Sequence, residues 1–156
     1  MKILTVAFFG HRHIENPRHI ERLIEQYVQN LIDGNEYVDF IVGRNGDFDM
    51  CVSSAISRVR ERYRSNNSSL ILVLPYPTAE YLSSREYFHE FYSYVEISDK
   101  AAASHPKSAI KIRNKEIADR ADLIICYLTK NQGGAYDAVT YCQKTSKPII
   151  NISKFD

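Results

Sequence analysis

Short, continuously apolar runs alternate with amphipathic stretches along this chain, and that alternation restricts its fold more than any other feature. Ile3 to Phe9 is a β-rich run that stops at Gly10, and Val38 to Val42 is another that stops at Gly43. Leu70 to Leu74 is halted by Pro75 and Pro77, Leu123 to Leu128 repeats the pattern, and Pro148 to Ile152 closes it. A strand with no polar alternation must be covered on both faces, as strands of a parallel sheet are. The segments between the runs can supply the cover. Asn16-Pro17 reads as an N-cap with proline in the first turn. Ile20, Leu23, Ile24, Tyr27, Val28 and Leu31 follow at helical spacing, with Gly34 suited to the C′ position. Asp47 is a plausible N-cap for a second helix carrying Phe48, Val52, Ala55, Ile56 and Val59. A third helix runs from Ser108 to about Arg120, and Gly134 opens a fourth through Ala138, Val139 and Cys142.

Right-handed crossovers then place helices on both faces of the sheet. The expected fold is a Rossmann-like three-layer α/β/α domain spanning residues 1–156, with a mostly parallel sheet of about five strands in the order 3-2-1-4-5. The chain reverses direction across the sheet between the first and fourth strands. Ligands of open α/β sheets bind at such a point, beyond the carboxyl ends of the strands. The stretch from Thr78 to Pro106 has no clean period. It suggests a helix near Glu80 to Phe91 and an extended piece at Tyr94 to Ile97, and reads equally as a lid or a surface crossover.

Composition narrows the function. The 156 residues are 44% apolar and 25% charged, and the net charge of +1 offers no broad basic field, so nucleic acid is not the expected partner. Cys51, Cys126 and Cys142 are far apart, with neither disulfide nor zinc spacing, so no metal or cofactor is expected. The apolar run at the N-terminus is too short for a signal peptide or membrane span, which together with free thiols points to the cytoplasm.

Three loops converge on the predicted crevice. Gly10-His11-Arg12-His13 follows the first strand. Gly10 lets the backbone turn and a ligand approach, Arg12 offers a planar fork for phosphate, and His11 could donate to a phosphate or work as an acid or base. The alternative is a loop with solvated polar tips. Gly43-Arg44-Asn45-Gly46-Asp47-Phe48-Asp49 follows the second strand. Its Gly43, Asn45 and Gly46 can present backbone N–H groups to an anion, and Asp49 could face a ribose. The glycine spacing fits neither a P-loop nor the dinucleotide fingerprint. Asn131-Gln132-Gly133-Gly134-Ala135 joins a buried strand to a helix, whose amino end supplies partial positive charge and free donors. Arg113 and Asn114, on the helix before the fourth strand, lie near the same end of the sheet.

Taken together, Phe8-Phe9-Gly10-His11-Arg12, Val42 to Asp49, Ala109 to Asn114 and Gly133 to Tyr136 resemble the SLOG superfamily over nearly the whole chain. This Rossmann-like group includes the LOG phosphoribohydrolases and the Rossmann domain of DNA-processing protein A. The nearest resemblance is to small bacterial SLOG proteins of unknown function. The resemblance implies binding of a nucleotide or nucleotide-derived phosphorylated ligand, in a sensor or carrier role, at Gly10, His11, Arg12, Gly43, Asn45, Gly46, Asp49, Arg113, Asn114, Gly133, Gly134, Ala135 and Tyr136. It also implies a homodimer. LOG enzymes cleave the N-glycosidic bond of a nucleoside monophosphate with an arginine and a glutamate. Arg113 matches that arginine, but Thr140 stands at the glutamate position. Asp137, about one helical turn earlier, is the substitute carboxylate, so Arg113 and Asp137 are the catalytic candidates if the chain is such an N-glycosidase.

Overall fold

The computed structural model describes residues 1–155. Six strands form one all-parallel sheet: β1 (Ile3–Gly10), β2 (Tyr37–Val42), β3 (Ser68–Leu74), β4 (Tyr94–Ile97), β5 (Leu123–Tyr127) and β6 (Ile149–Asn151). The spatial order is β4-β3-β2-β1-β5-β6. The expected order is thus reproduced, with one strand added at the β3 edge. That strand is the extended piece Tyr94–Ile97, which pairs with Ile71–Leu74. Seven helices join the strands: α1 (Pro17–Gly34), α2 (Asp47–Glu61), α3 (Ala79–Ser83), α4 (Arg85–Phe91), α5 (Asp99–Ala102), α6 (Pro106–Arg120) and α7 (Gly134–Lys144). None is long and apolar enough to cross a membrane among the described residues.

The strands divide their side chains between two cores, which is why their sequences are apolar throughout. Val6 and Phe8 of β1, Phe40 of β2 and Leu70 and Leu72 of β3 face α1 and α2. Ala7, Phe9, Ile41, Ile71 and Val73 point the other way, onto Ile117 of α6 and Val139 of α7. Val6, Ala7, Phe40, Ile41, Leu70 and Leu72 have no exposed surface. Burying each large apolar side chain of this kind contributes about 1.5–3 kcal/mol.

Two helix boundaries differ from expectation. α1 runs through Gly34 and is capped by extended Asn35, whose Nδ2 donates to the Leu31 carbonyl at 2.8 Å. Gly46, rather than Asp47, is the N-cap of α2. Asp47 accepts from the Ile14 amide at 3.3 Å, so its carboxylate tethers the β1–α1 loop and does not cap its own helix.

The Thr78–Pro106 stretch is largely structural. Tyr81, Phe88 and Tyr92 are buried in the α1/α2-side core. Arg44 binds them to the β2–α2 loop: it makes a two-pronged ion pair with Glu80 (2.7 and 3.1 Å), donates to the Tyr92 hydroxyl at 2.8 Å and lies 4.7 Å from the Phe88 ring centroid.

Gly10 ends β1 in direct contact with α2. A Cβ there would lie 2.2 Å from Cγ of Phe48, a ring stacked on Tyr127. Neither ring has room to withdraw, since Phe48 has no exposed surface. Gly10→Ala is expected to destabilise the protein by about 1–3 kcal/mol, through overpacking, and to lower its melting temperature by roughly 2–10 °C. An unchanged melting temperature would show that Phe48 yields freely.

Candidate functional site

Because β2 and β5 flank β1, the connections leaving β1 and β5 separate to opposite faces and leave a crevice at their carboxyl ends. There the structure has a cleft of about 570 Å³. The loop after β1 contributes Gly10, His11, Arg12 and His13, and the loop after β2 contributes Gly43, Asn45 and Asp49. Arg113 and Asn114 come from α6, and Gly133, Gly134 and Ala135 from the entrance to α7. Of the sequence-predicted ligand residues, only Gly46 and Tyr136 lie outside the lining. Gly46 stands behind it: a Cβ there would meet the Arg12 Cα at 2.5 Å. This close approach allows the Asp47 amide to donate to the Arg12 carbonyl at 2.8 Å, joining the first two loops.

His11 joins the first loop to the third. Its Nε2 accepts from the amides of Thr129 (3.0 Å) and Lys130 (3.2 Å). Only a ring nitrogen without a proton can accept, so the neutral imidazole carries its proton on Nδ1. Burial and the nearby Lys130 charge both lower the His11 pKa. The arrangement makes His11 a positioning residue, with Nε2 already occupied.

The floor is built around Arg113, which is only 2% exposed. Its Nη1 donates to the Val73 carbonyl at the end of β3 and its Nε to Asn114 Oδ1, both at 2.9 Å. With the Asn45 amide turned to satisfy both neighbours, its oxygen accepts from Arg113 Nη2 at 3.0 Å and its nitrogen donates to the Arg44 carbonyl at 3.2 Å. The Asn45 backbone N–H donates to Asp49 Oδ2 at 2.8 Å. Burial pushes the Asp49 carboxyl above its usual pKa, opposed by the Asn45 N–H and the charges of Arg113 and Arg12. Gly43 covers both groups: a Cβ there would lie 3.1 Å from Asp49 Oδ2 and 3.3 Å from Arg113 Nη1.

The opposite wall is open. Gly133 adopts φ +101°, a conformation that favours glycine, and nothing lies within 4 Å of a Cβ built at Gly133 or Gly134. The first N–H groups of α7 have no acceptor within the helix. Exposed Lys130 also lines the cleft. Sequence reasoning passed over Lys130. Its signal was a cation in the loop between a buried strand and the glycine pair. The apolar wall formed by Phe8, Phe9, Ile110 and Ile117 was missed too. Asp137 and Thr140, the positions weighed for a catalytic carboxylate, do not line the cleft, and Asp137 is exposed. No cluster of three or more metal-ligating side chains occurs among the described residues.

The strand order, the crevice at the switch point and the glycine-opened helix define a Rossmann-like three-layer α/β/α fold. Solved structures of two DNA processing proteins share this fold. One is DNA processing protein A from Streptococcus pneumoniae, with TM-score 0.68 and 16% identity, over 94% of this chain and 49% of that one. The other is DNA processing protein A from Helicobacter pylori, with TM-score 0.63 and 16% identity, over 94% of this chain and 63% of that one. The chain therefore spans between about half and under two thirds of these proteins, and at this identity the likeness establishes the fold. No protein-family model and no curated protein sequence matches the chain.

The Helicobacter protein binds single-stranded DNA. This overturns the expectation that nucleic acid is not a partner, because that expectation rested on a net charge of +1. Net charge sums over the whole surface, whereas binding responds to local potential. Here Arg12, Lys130, Arg113 and the amino end of α7 concentrate positive charge at one cleft.

The His11 geometry sets a pH dependence. Its folded pKa lies below the ordinary 6.5, so the unfolded chain takes up the proton more readily. The contribution of His11 to stability is fully present above about pH 6.5 and is lost as pH falls through the folded pKa. His11→Gln keeps an acceptor but does not titrate. Melting curves between pH 8 and pH 5 should show a shallower acid loss for this variant. Parallel curves for wild type and variant would refute the role given to His11.

Proposed function

We propose that the cleft binds a nucleotide or a nucleotide-derived phosphorylated ligand, and that the chain acts as a sensor or carrier of it. The observation that carries this reading is the open amino end of α7. Gly133 and Gly134 leave its free N–H groups unobstructed, in the same cleft as Arg12, Lys130 and the buried Arg113. A helix terminus of this kind favours an anion through its donors and its dipole. Flanking cations add charge-assisted hydrogen bonds. The apolar wall of Phe9, Ile110 and Ile117 offers a surface for an uncharged part of the ligand.

Single-stranded nucleic acid is the second reading. The Helicobacter neighbour favours it, and it would use the same phosphate-binding groups. LOG-like hydrolysis of a nucleoside monophosphate would draw its catalytic carboxylate from α7. α7 brings neither Asp137 nor Thr140 into the cleft.

Thermal-shift titration with nucleoside mono-, di- and triphosphates, cyclic nucleotides and ADP-ribose derivatives tests the proposal. A ligand at about 100 times its Kd stabilises by about 2.7 kcal/mol, which raises the melting temperature by roughly 5–10 °C. Gly134→Glu places a carboxylate at the helix end and should abolish the shift. If no phosphorylated compound moves the wild-type melting temperature, the proposal fails. Salt-sensitive gel retardation of single-stranded DNA, with no response to mononucleotides, would favour the second reading.

A further inference from the structure

Asp49 is an acceptor placed in a cleft that otherwise attracts anions. It is half-buried and lines the cleft together with Arg113 and the amino end of α7. Its Oδ2 accepts from the Asn45 backbone N–H, and among the described residues Oδ1 accepts no hydrogen bond. Arg113 does not neutralise it by direct contact, since no carboxylate lies within ion-pair distance of Arg113 among the described residues. Asn45 stands between the two, with its backbone N–H on Asp49 and its side-chain oxygen on Arg113. Gly43 leaves room for both heads, because any side chain there would press on Asp49 Oδ2 and Arg113 Nη1. Opposite charges are thus held near each other, unpaired and preorganised, at the base of one cleft.

An ionised carboxylate accepts hydrogen bonds and cannot donate them. It repels a phosphate and attracts hydroxyl groups. The anionic end of a ligand therefore belongs at α7 and Lys130, and the part bonded next to the phosphate meets the floor. In a nucleotide that part is the sugar. We infer that Asp49 is the specificity-determining residue of this cleft, accepting hydrogen bonds from the vicinal hydroxyls of a ribose phosphate, so that the ligand class is a ribonucleotide or ribose-phosphate derivative and not a deoxy or purely inorganic phosphate. This inference rests on the cleft being a phosphorylated-ligand site, as proposed above. It goes further by assigning a chemical role to a carboxylate that an anion site alone does not require. Asn45 is the positioning residue, since it fixes Asp49 without occupying Oδ1.

The test uses the full chain and compares the four ribonucleoside 5′-monophosphates with their 2′,3′-dideoxy counterparts by calorimetric titration. Ribose 5-phosphate and inorganic phosphate complete the series. Charge-assisted hydrogen bonds of about 1.5–3 kcal/mol correspond to roughly 10- to 100-fold in affinity, so the dideoxy compounds should bind wild type weaker by that factor. Asp49→Asn preserves shape but removes the charge, and the ribose preference should largely disappear while the dideoxy affinity holds or improves. The wild-type comparison stands even if that variant folds poorly. Equal affinity of wild type for ribo and dideoxy compounds overturns the inference and leaves the phosphate site intact. Asp49→Asn that folds and retains the full ribose preference also overturns it. Absence of binding by every compound, inorganic phosphate included, removes the parent reading and this inference together.

Discussion

The Arg113 guanidinium has left water almost completely, and a charge in that position must be offset by what surrounds it. Its planar fork is suited to the task, because its N–H groups point in fixed directions and can be satisfied by separate partners. Val73 at the end of β3, Asn114 on α6 and Asn45 in the β2–α2 loop take them. One side chain therefore joins three elements that meet only at the carboxyl edge of the sheet. The Asp49 charge offsets part of the desolvation from a distance. Removing Arg113 would leave one carbonyl and two side-chain amides without their donor, and the Asp49 carboxylate without the charge nearby.

The glycines around this centre differ in purpose. Gly10 and Gly46 are packing positions, where a Cβ would enter the Phe48 ring or the Arg12 backbone. Gly43 makes room for functional groups, and Gly133 and Gly134 keep a helix end uncovered. The result is a cleft with a tightly interlocked floor and one open wall. His11 completes the lock by holding the Thr129 and Lys130 amides, so all three loops are braced against each other before any ligand arrives. Preorganisation of that kind lowers the entropic cost of binding.

Much of the site was legible because strand ends can be read from apolar runs, and parallel topology brings alternate strand ends to one edge. That logic places Gly10, Gly43 and Gly133 as neighbours, and all three line the cleft. It could not separate Gly46 from the lining, because whether a glycine faces a ligand or a packed backbone depends on the loop opposite. Tyr136 failed for a related reason: one residue along a helix turns the side chain by about 100°. Lys130 looked like any exposed loop lysine, and His11 looked like a donor. Only the β5 loop passing beside its ring made it an acceptor. The Thr78–Pro106 stretch was legible only in part: its extended piece at Tyr94–Ile97 is readable, but a short edge strand carries too weak a period-two signal to show its pairing with β3. Its aromatic residues turned out to be core and anchor for Arg44.

The sequence by itself determined the layer architecture, the order of its central strands and the edge at which the cleft would open. Those follow from hydrophobic periodicity and the handedness of crossovers, which are local properties repeated along the chain. The tertiary structure alone decided which polar groups face each other across that cleft. Asp49, Asn45 and Arg113 lie 4 and 68 residues apart in sequence, counted from Asn45, and nothing in their local sequence says that they share hydrogen bonds. Their relation arises from the packing of α6 against the end of β3, and with it the electrostatic character of the cleft: a cationic wall, an open helix end and a single carboxylate at its base.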